Sequence, residues 1–161
     1  MSSLKAQLVI VLVFLTCTAQ EARKPPNKDA LCLHFDGVLQ EAGTKFVALR
    51  GKAISGYSVP LCEGTLKPPG GTRCQVTEKS YHCSLGARTD RAKGKQEFEG
   101  LAFRTLACFP RWQTRMVRND SYWGFFASQD KLRVSVVYER LDSEDAKHPP
   151  ELWLSVFIRD K

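Results

Sequence analysis

The residues best suited to acid–base chemistry in this sequence are its three histidines, His34, His82 and His148. Histidine changes charge near neutral pH, so two of them beside a lysine would suit phosphodiester cleavage. The sequence has no Gly-x-Ser-x-Gly motif, no metal-binding helix motif and no phosphate-binding loop. We therefore expect a protein that is not an enzyme. A small secreted hydrolase built from His34 and His82 is kept as an alternative.

A second set of candidate residues is aromatic and lies in the last third of the chain. Ligand sites are concave and mostly apolar, and large rings are well suited to line them. The competing interpretation is that the same rings fill the protein core, because aromatic side chains bury the most area. The candidate ligand-binding residues are Trp123, Phe125, Tyr138 and Trp153, with Tyr122, Phe126 and Phe157 beside them in the sequence.

Positive charge is concentrated between Arg88 and Arg118, where eight Lys or Arg residues face three acidic ones. Such a segment could bind an extracellular polyanion, for example a glycosaminoglycan, through charge attraction and counterion release. A solvated loop that keeps the domain soluble would have the same composition. The candidate polyanion-binding residues are Arg88, Arg91, Lys93 and Lys95, reinforced by Arg104, Arg111, Arg115 and Arg118. We expect no nucleic-acid binding, since no stacking platform is evident.

The N-terminus predicts export. Lys5 precedes an apolar run over residues 8–15, and small residues follow up to Ala19, the pattern of a secretory signal peptide. The run is shorter than the roughly 20 apolar residues that cross a bilayer, so no membrane span is expected. We predict a signal peptide at 1–19, a flexible basic lead-in at 20–29 and one domain at 30–161, with a net charge of about +6.

Export also determines how the cysteines and one asparagine are interpreted. Five cysteines follow the signal, so two disulfides and one free thiol are expected in an oxidising compartment. A hairpin would set Cys74 opposite Cys83, and we predict that pair, with Cys62–Cys108 preferred as the second. The odd cysteine is then a buried thiol or the link of a covalent dimer. Asn119-Asp120-Ser121 is a glycosylation sequon in a predicted turn.

Metal and cofactor sites are not predicted. The cysteines and histidines show neither C-x-x-C nor H-x-x-x-H spacing, which makes a zinc site improbable. No cofactor-binding motif is present either.

The fold is predicted mainly from Ser121 to Ile158, which contains three apolar runs separated by turn residues. In the middle run, Leu132, Val134 and Val136 alternate with more polar residues, a period of two typical of a half-buried strand. Further strands are predicted at 31–36, 45–50, 53–59, 101–108 and 111–118. Residues 86–100 are predicted to form a long exposed loop or at most a frayed helical turn. The turn at Gly51-Lys52 would join the second and third of these strands.

Eight to nine antiparallel strands in one all-β domain leave two architectures, a closed barrel or a two-sheet sandwich. Strands that are apolar on both faces slightly favour a small closed barrel. Its outline resembles that of lipocalin barrels in shape alone, because the Gly-x-Trp of their first strand is absent. The resulting hypothesis is a secreted β-domain that binds an apolar small molecule or an extracellular protein.

Overall fold

The computed structural model describes residues 28–139 and 148–160. Two helices, a short 3₁₀ turn at Val47–Leu49 and eight strands make up this part of the chain. The helices are α1 (Ala30–Ala42) and α2 (Arg91–Cys108). The strands are β1 (Arg50–Ile54), β2 (Leu61–Gly64), β3 (Arg73–Val76), β4 (Ser80–Ala87), β5 (Gln113–Arg118), β6 (Tyr122–Gln129), β7 (Leu132–Glu139) and β8 (Glu151–Ile158). The predicted signal peptide and residues 20–27 of the lead-in lie outside the described residues.

All eight strands form one antiparallel sheet in the order β1-β2-β3-β4-β8-β7-β6-β5. The prediction of a mostly antiparallel β-protein is therefore confirmed. The predicted closed barrel is wrong, because β1 and β5 are the two edges and do not pair with each other. The sandwich is wrong as well, because the described residues form a single sheet with two helices on one face. Helices, not further strands, cover the apolar side.

Helix α1 replaces the strand that we predicted at 31–36. Asp29 caps the helix by accepting a 2.7 Å hydrogen bond from the Leu31 amide. The buried residues Leu31, Phe35 and Val38 follow a helical spacing, whereas Leu33 is 55% exposed. The apparent alternation of Leu31, Leu33 and Phe35 was therefore misleading, and the helical period continues to Ala42.

Helix α2 occupies the region predicted as an exposed loop (86–100) and a strand (101–108). Asp90 caps it by accepting a 3.0 Å hydrogen bond from the Lys93 amide. Its buried face consists of Gly94, Phe98, Ala102 and Thr105, which are spaced as in a helix but of which only Phe98 is large. An amphipathic pattern built from small residues has little hydrophobic signal, which is why the sequence did not predict this helix.

The first hairpin also differs from the prediction. Gly51 and Lys52 lie inside β1 and not at a turn, and the chain reverses between Ile54 and Leu61. The disulfide hairpin agrees with its prediction, since Cys74 lies directly opposite Cys83 in the register of β3 and β4. Thr77 and Ser80 close that hairpin through a 2.8 Å backbone hydrogen bond.

One hydrophobic core lies between the helices and the sheet. Strands β6, β7 and β8 contribute alternate residues to it, including Phe125, Val136 and Leu154, which pair across the three strands. The helices contribute Phe35 and Phe98, which are both fully buried. Neither helix in the described part of the chain is long and apolar enough to cross a membrane.

The second disulfide joins the two helices. Cys108 at the end of α2 is bonded to Cys32 in α1, so the predicted Cys62–Cys108 bridge is wrong. The strand predicted to place Cys108 beside Cys62 is a helix, and its last turn lies against α1. Cys74 and Cys83 are bonded as predicted. Among the cysteines that the structure describes, Cys62 on β2 is free, and it is half-buried.

Candidate functional site

The candidate site is the face of the sheet that the helices leave uncovered, which we call the open face. Side chains alternate along each strand, so Val134 and Val136 point to the helices while Arg133, Ser135 and Val137 point to the open face. The same parity holds on β8, where Trp153, Ser155 and Phe157 belong to the open face. No described segment of the chain packs over this surface.

A row of directly paired residues crosses the middle of the open face. From β3 to β5 the row begins with four polar residues and ends with an aromatic and a cationic one. In that order its members are Gln75, His82, Ser155, Ser135, Phe126 and Arg115. Ser135 and Ser155 are only 2% and 4% exposed, because larger side chains on either side stand above them. The two serines therefore form the polar bottom of a depression, which we call the floor, between larger side chains.

His82 is bound to this floor. Its Nδ1 atom lies 2.9 Å from the Oγ atom of Ser155, a hydrogen bond whose donor depends on the imidazole tautomer. The ring also packs edge-on against Phe157 at a centroid distance of 4.8 Å. Burial lowers the pKa of His82, so the imidazole is neutral at physiological pH. A neutral histidine offers a ligand a hydrogen-bonding group without adding charge.

Aromatic rings and arginines are interleaved on the open face. The guanidinium of Arg73 lies 5.8 Å from the ring centre of Trp153, and that of Arg133 lies 5.7 Å from the ring centre of Phe126. These are cation–π distances. Trp153 and Phe126 are thus each flanked by a guanidinium, and Arg73 also contacts Glu151 at 3.9 Å.

Two cavities open on this surface and share Phe126, Arg133 and Arg159. The larger, about 720 Å³, is the aromatic cavity, and it is lined by Gln75, His82, Phe126, Arg133, Ser135, Val137, Glu139, Trp153, Ser155, Phe157, Ile158, Arg159 and Asp160. The smaller, about 390 Å³, is the arginine cavity, and it is lined by Gln113, Thr114, Arg115, Val117, Tyr122, Phe126, Ser128, Arg133 and Arg159. Ligand sites commonly have volumes of roughly 300–1,000 Å³.

The four predicted ligand-binding aromatics do not come together. Trp123, Phe125 and Tyr138 face the helices, where Phe125 and Tyr138 are core residues and Trp123 packs against Phe98. Only Trp153 lies on the open face. The rings that accompany it there are Phe126 and Phe157, which are not among the four predicted residues. The strand parity of residues 122–126 and 151–158 would have separated the two sets.

The predicted polyanion-binding residues lie before and within the first turns of α2, and some of their charge is already engaged. Arg88 forms an ion pair with Glu97 and donates a 2.9 Å hydrogen bond to the Leu85 carbonyl. Lys95 lies 4.8 Å from the ring centre of Trp123. Arg91 and Lys93 have exposed side chains. The set shares one end of a helix but is not continuous with the open face.

His34 and His82 lie on opposite faces of the sheet and do not form one site. His34 belongs to α1 and lies 3.3 Å from the hydroxyl of Tyr81, whose side chain points to the helices. His82, the next residue, points the other way. His148 lies in the short segment before β8. The two-histidine arrangement of the hydrolase alternative is therefore not present, and no carboxylate among the described residues contacts His82.

Asn119 lies in the exposed turn between β5 and β6. Its Oδ1 atom accepts backbone hydrogen bonds from Ser121 at 3.0 Å and Tyr122 at 2.8 Å. This geometry uses the oxygen of the side-chain amide and directs its nitrogen away from the turn. The described residues contain no group of three or more His, Cys, Asp or Glu side chains placed to hold a metal ion.

Comparison of the chain with protein-family models, with curated proteins and with solved structures finds no match.

Proposed function

We propose that the protein is a secreted, non-enzymatic binding protein that holds an apolar small molecule against the open face of its sheet. The observation that carries the proposal is the aromatic cavity, where Phe126, Trp153 and Phe157 surround a floor of Ser135 and Ser155. Half-buried rings on a face without a covering layer leave apolar surface in water, and a ligand would remove it.

The volume of the aromatic cavity favours a small molecule over a protein partner. At about 720 Å³ it accommodates a molecule of several rings or a medium-length alkyl chain. Five side chains in its lining supply apolar contact, and the polar and charged ones can orient a ligand through hydrogen bonds. The apolar five are Phe126, Val137, Trp153, Phe157 and Ile158. An extracellular protein that docks on the whole face is the competing occupant.

Secretion is part of the same proposal. Two disulfides, an N-terminal signal pattern and a sequon in an exposed turn support an extracellular, glycosylated and disulfide-bonded protein. Polyanion binding through α2 has less support, because Arg88 already has a carboxylate partner and Lys95 packs on a ring.

N-phenyl-1-naphthylamine, a neutral dye that fluoresces in apolar sites, tests the proposal on the purified mature protein. We expect saturable binding that Phe157→Ala weakens and that Val137→Trp, which fills the cavity without removing apolar surface, also weakens. Phe103→Ala is the matched control, since Phe103 is 74% exposed on α2 and lies away from the open face. Absence of dye binding, or equal loss in all three variants, would contradict the proposal.

A further inference from the structure

The end of the open face beside the edge strand β5 carries positive charge from three separate strands or strand ends. Arg115 belongs to β5, Arg133 to β7, and Arg159 directly follows β8. All three line the arginine cavity, together with six uncharged residues and no acidic one. The tertiary structure alone brings these arginines together.

None of the three arginines forms an ion pair within the described part of the chain. Arg159 donates a 2.8 Å hydrogen bond from Nη2 to the Asp130 carbonyl, which holds its side chain at the cavity. Arg133 lies over Phe126, and its buried Nε atom has no hydrogen-bond acceptor among the described residues.

Several arginines elsewhere on the protein form ion pairs. Arg88, Arg104 and Arg118 each contact a carboxylate, and the partners are Glu97, Asp29 and Glu99. Arg50 and Arg111 also form no ion pair among the described residues, but neither lines the arginine cavity, where three such arginines occur together. Like charges that line one cavity repel each other, and an anion bound among them adds attractive interactions that offset this repulsion. The planar guanidinium also matches carboxylate and sulfate oxygens in two-point contacts.

The arginine cavity continues into the aromatic cavity through Phe126, Arg133 and Arg159. We infer that the ligand is an anionic amphiphile: its carboxylate or sulfate group binds the arginine cavity, and its apolar body lies along the aromatic cavity. This inference rests on the proposed function and specifies the class of ligand. The head group would contact Arg115, Arg133 and Arg159, and the body would contact Phe126, Trp153 and Phe157.

A small amphiphile fits this geometry better than a polyanion chain. A chain of many charges needs an extended basic track, whereas these three arginines converge on one cavity of about 390 Å³ beside apolar walls. The aromatic cavity next to it would have no role in binding a uniformly charged polymer.

A matched pair of dyes tests the inference on the mature protein. 1-Anilinonaphthalene-8-sulfonate and N-phenyl-1-naphthylamine share an aromatic body and differ by one sulfonate group. We expect the sulfonate to bind roughly tenfold or more tightly than the neutral dye, as charge-assisted hydrogen bonds would provide. Arg115→Gln and Arg133→Gln should remove most of this preference and leave the affinity for the neutral dye nearly unchanged.

Arg111→Gln is the control, because Arg111 is exposed just before β5 and does not line either cavity. Equal affinity for the two dyes in the unaltered protein would overturn the head-group assignment and leave the proposed function standing. Binding of neither dye would overturn both. If Arg115→Gln and Arg133→Gln abolish heparin binding to the protein but leave its preference for the sulfonate dye unchanged, the anionic partner is a polymer and the amphiphile assignment is wrong.

Discussion

Gly94 of α2 lies directly against the ring of Tyr138 on β7. A Cβ atom on Gly94 would be 2.3 Å from the Tyr138 hydroxyl oxygen and 2.5 Å from its Cζ atom, far inside van der Waals contact. Tyr138 is fully buried, so its ring has little room to move aside. The absence of a side chain at residue 94 therefore allows the helix to approach the sheet closely.

We predict that Gly94→Ala destabilises the protein by about 1–3 kcal/mol, the usual cost of overpacking a core. The same substitution in an open helix position stabilises by roughly 0.5–1 kcal/mol, because alanine is the better helix former. Gly100→Ala in the same helix is the control, since a Cβ there meets nothing within 4 Å. Chemical denaturation measures both, and stabilisation by both substitutions would contradict the close contact.

The helix-to-helix disulfide closes a large loop and should contribute strongly to stability. Cys32 and Cys108 are separated by 76 residues, so losing the bond frees much chain entropy in the unfolded state. We predict that the Cys32→Ala, Cys108→Ala double variant loses about 4 kcal/mol. Cys62→Ala is the control and should cost far less. Peptide mapping of the non-reduced protein that joins Cys62 to Cys108 would contradict the assignment.

His34 should make the protein less stable in mild acid. Burial lowers its pKa to about 4, below the ordinary value of 6.5 that it regains on unfolding. As pH falls from 6.5 to 4, His34 becomes protonated in the unfolded state but stays neutral in the folded state. The free energy of unfolding therefore decreases, by about 3 kcal/mol over the whole range. Above pH 6.5 both states are neutral and the effect is absent.

The His34→Gln variant tests this dependence, because glutamine is neutral and can still hydrogen-bond to the Tyr81 hydroxyl. Urea unfolding from pH 7.5 to 4 should show a flatter decrease for the variant than for the unaltered protein. Some decrease remains, since burial lowers the pKa of His82 as well. Identical pH profiles for the two proteins would show that His34 does not resist protonation.

Asn119 should carry a glycan when the protein is expressed through a eukaryotic secretory pathway. The residue is exposed, and its turn directs the amide nitrogen away from the hydrogen bonds made by Oδ1. We expect a mass decrease on treatment with an amidase that removes N-linked glycans, and no such decrease for Ser121→Ala, which keeps Asn119 but breaks the sequon. An unmodified secreted protein would refute the prediction.

The C-terminal strands were predictable because their pattern is local. The alternation of apolar residues such as Val134 and Val136 with more polar ones predicts a half-buried strand from only a few consecutive residues. Short turns between consecutive strands make them antiparallel neighbours. The sequence alone therefore predicted a strand at 111–118 and further strands between Ser121 and Ile158, and it set Cys74 opposite Cys83. It did not predict α1, because Leu31, Leu33 and Phe35 fit a strand period as well as a helical one over so few residues.

Tertiary structure decided the rest. The buried face of α2 depends on small residues such as Gly94. The need for a glycine at this position is evident only from its contact with Tyr138, which is distant in the sequence. Cys108 forms a disulfide with Cys32 because both helices lie on the same side of the sheet. The arginine cavity combines Arg115, Arg133 and Arg159, which are far apart in the chain and carry no common motif. Local spacing determines which way a side chain points, but only the packing of distant segments determines which charges and rings share a surface.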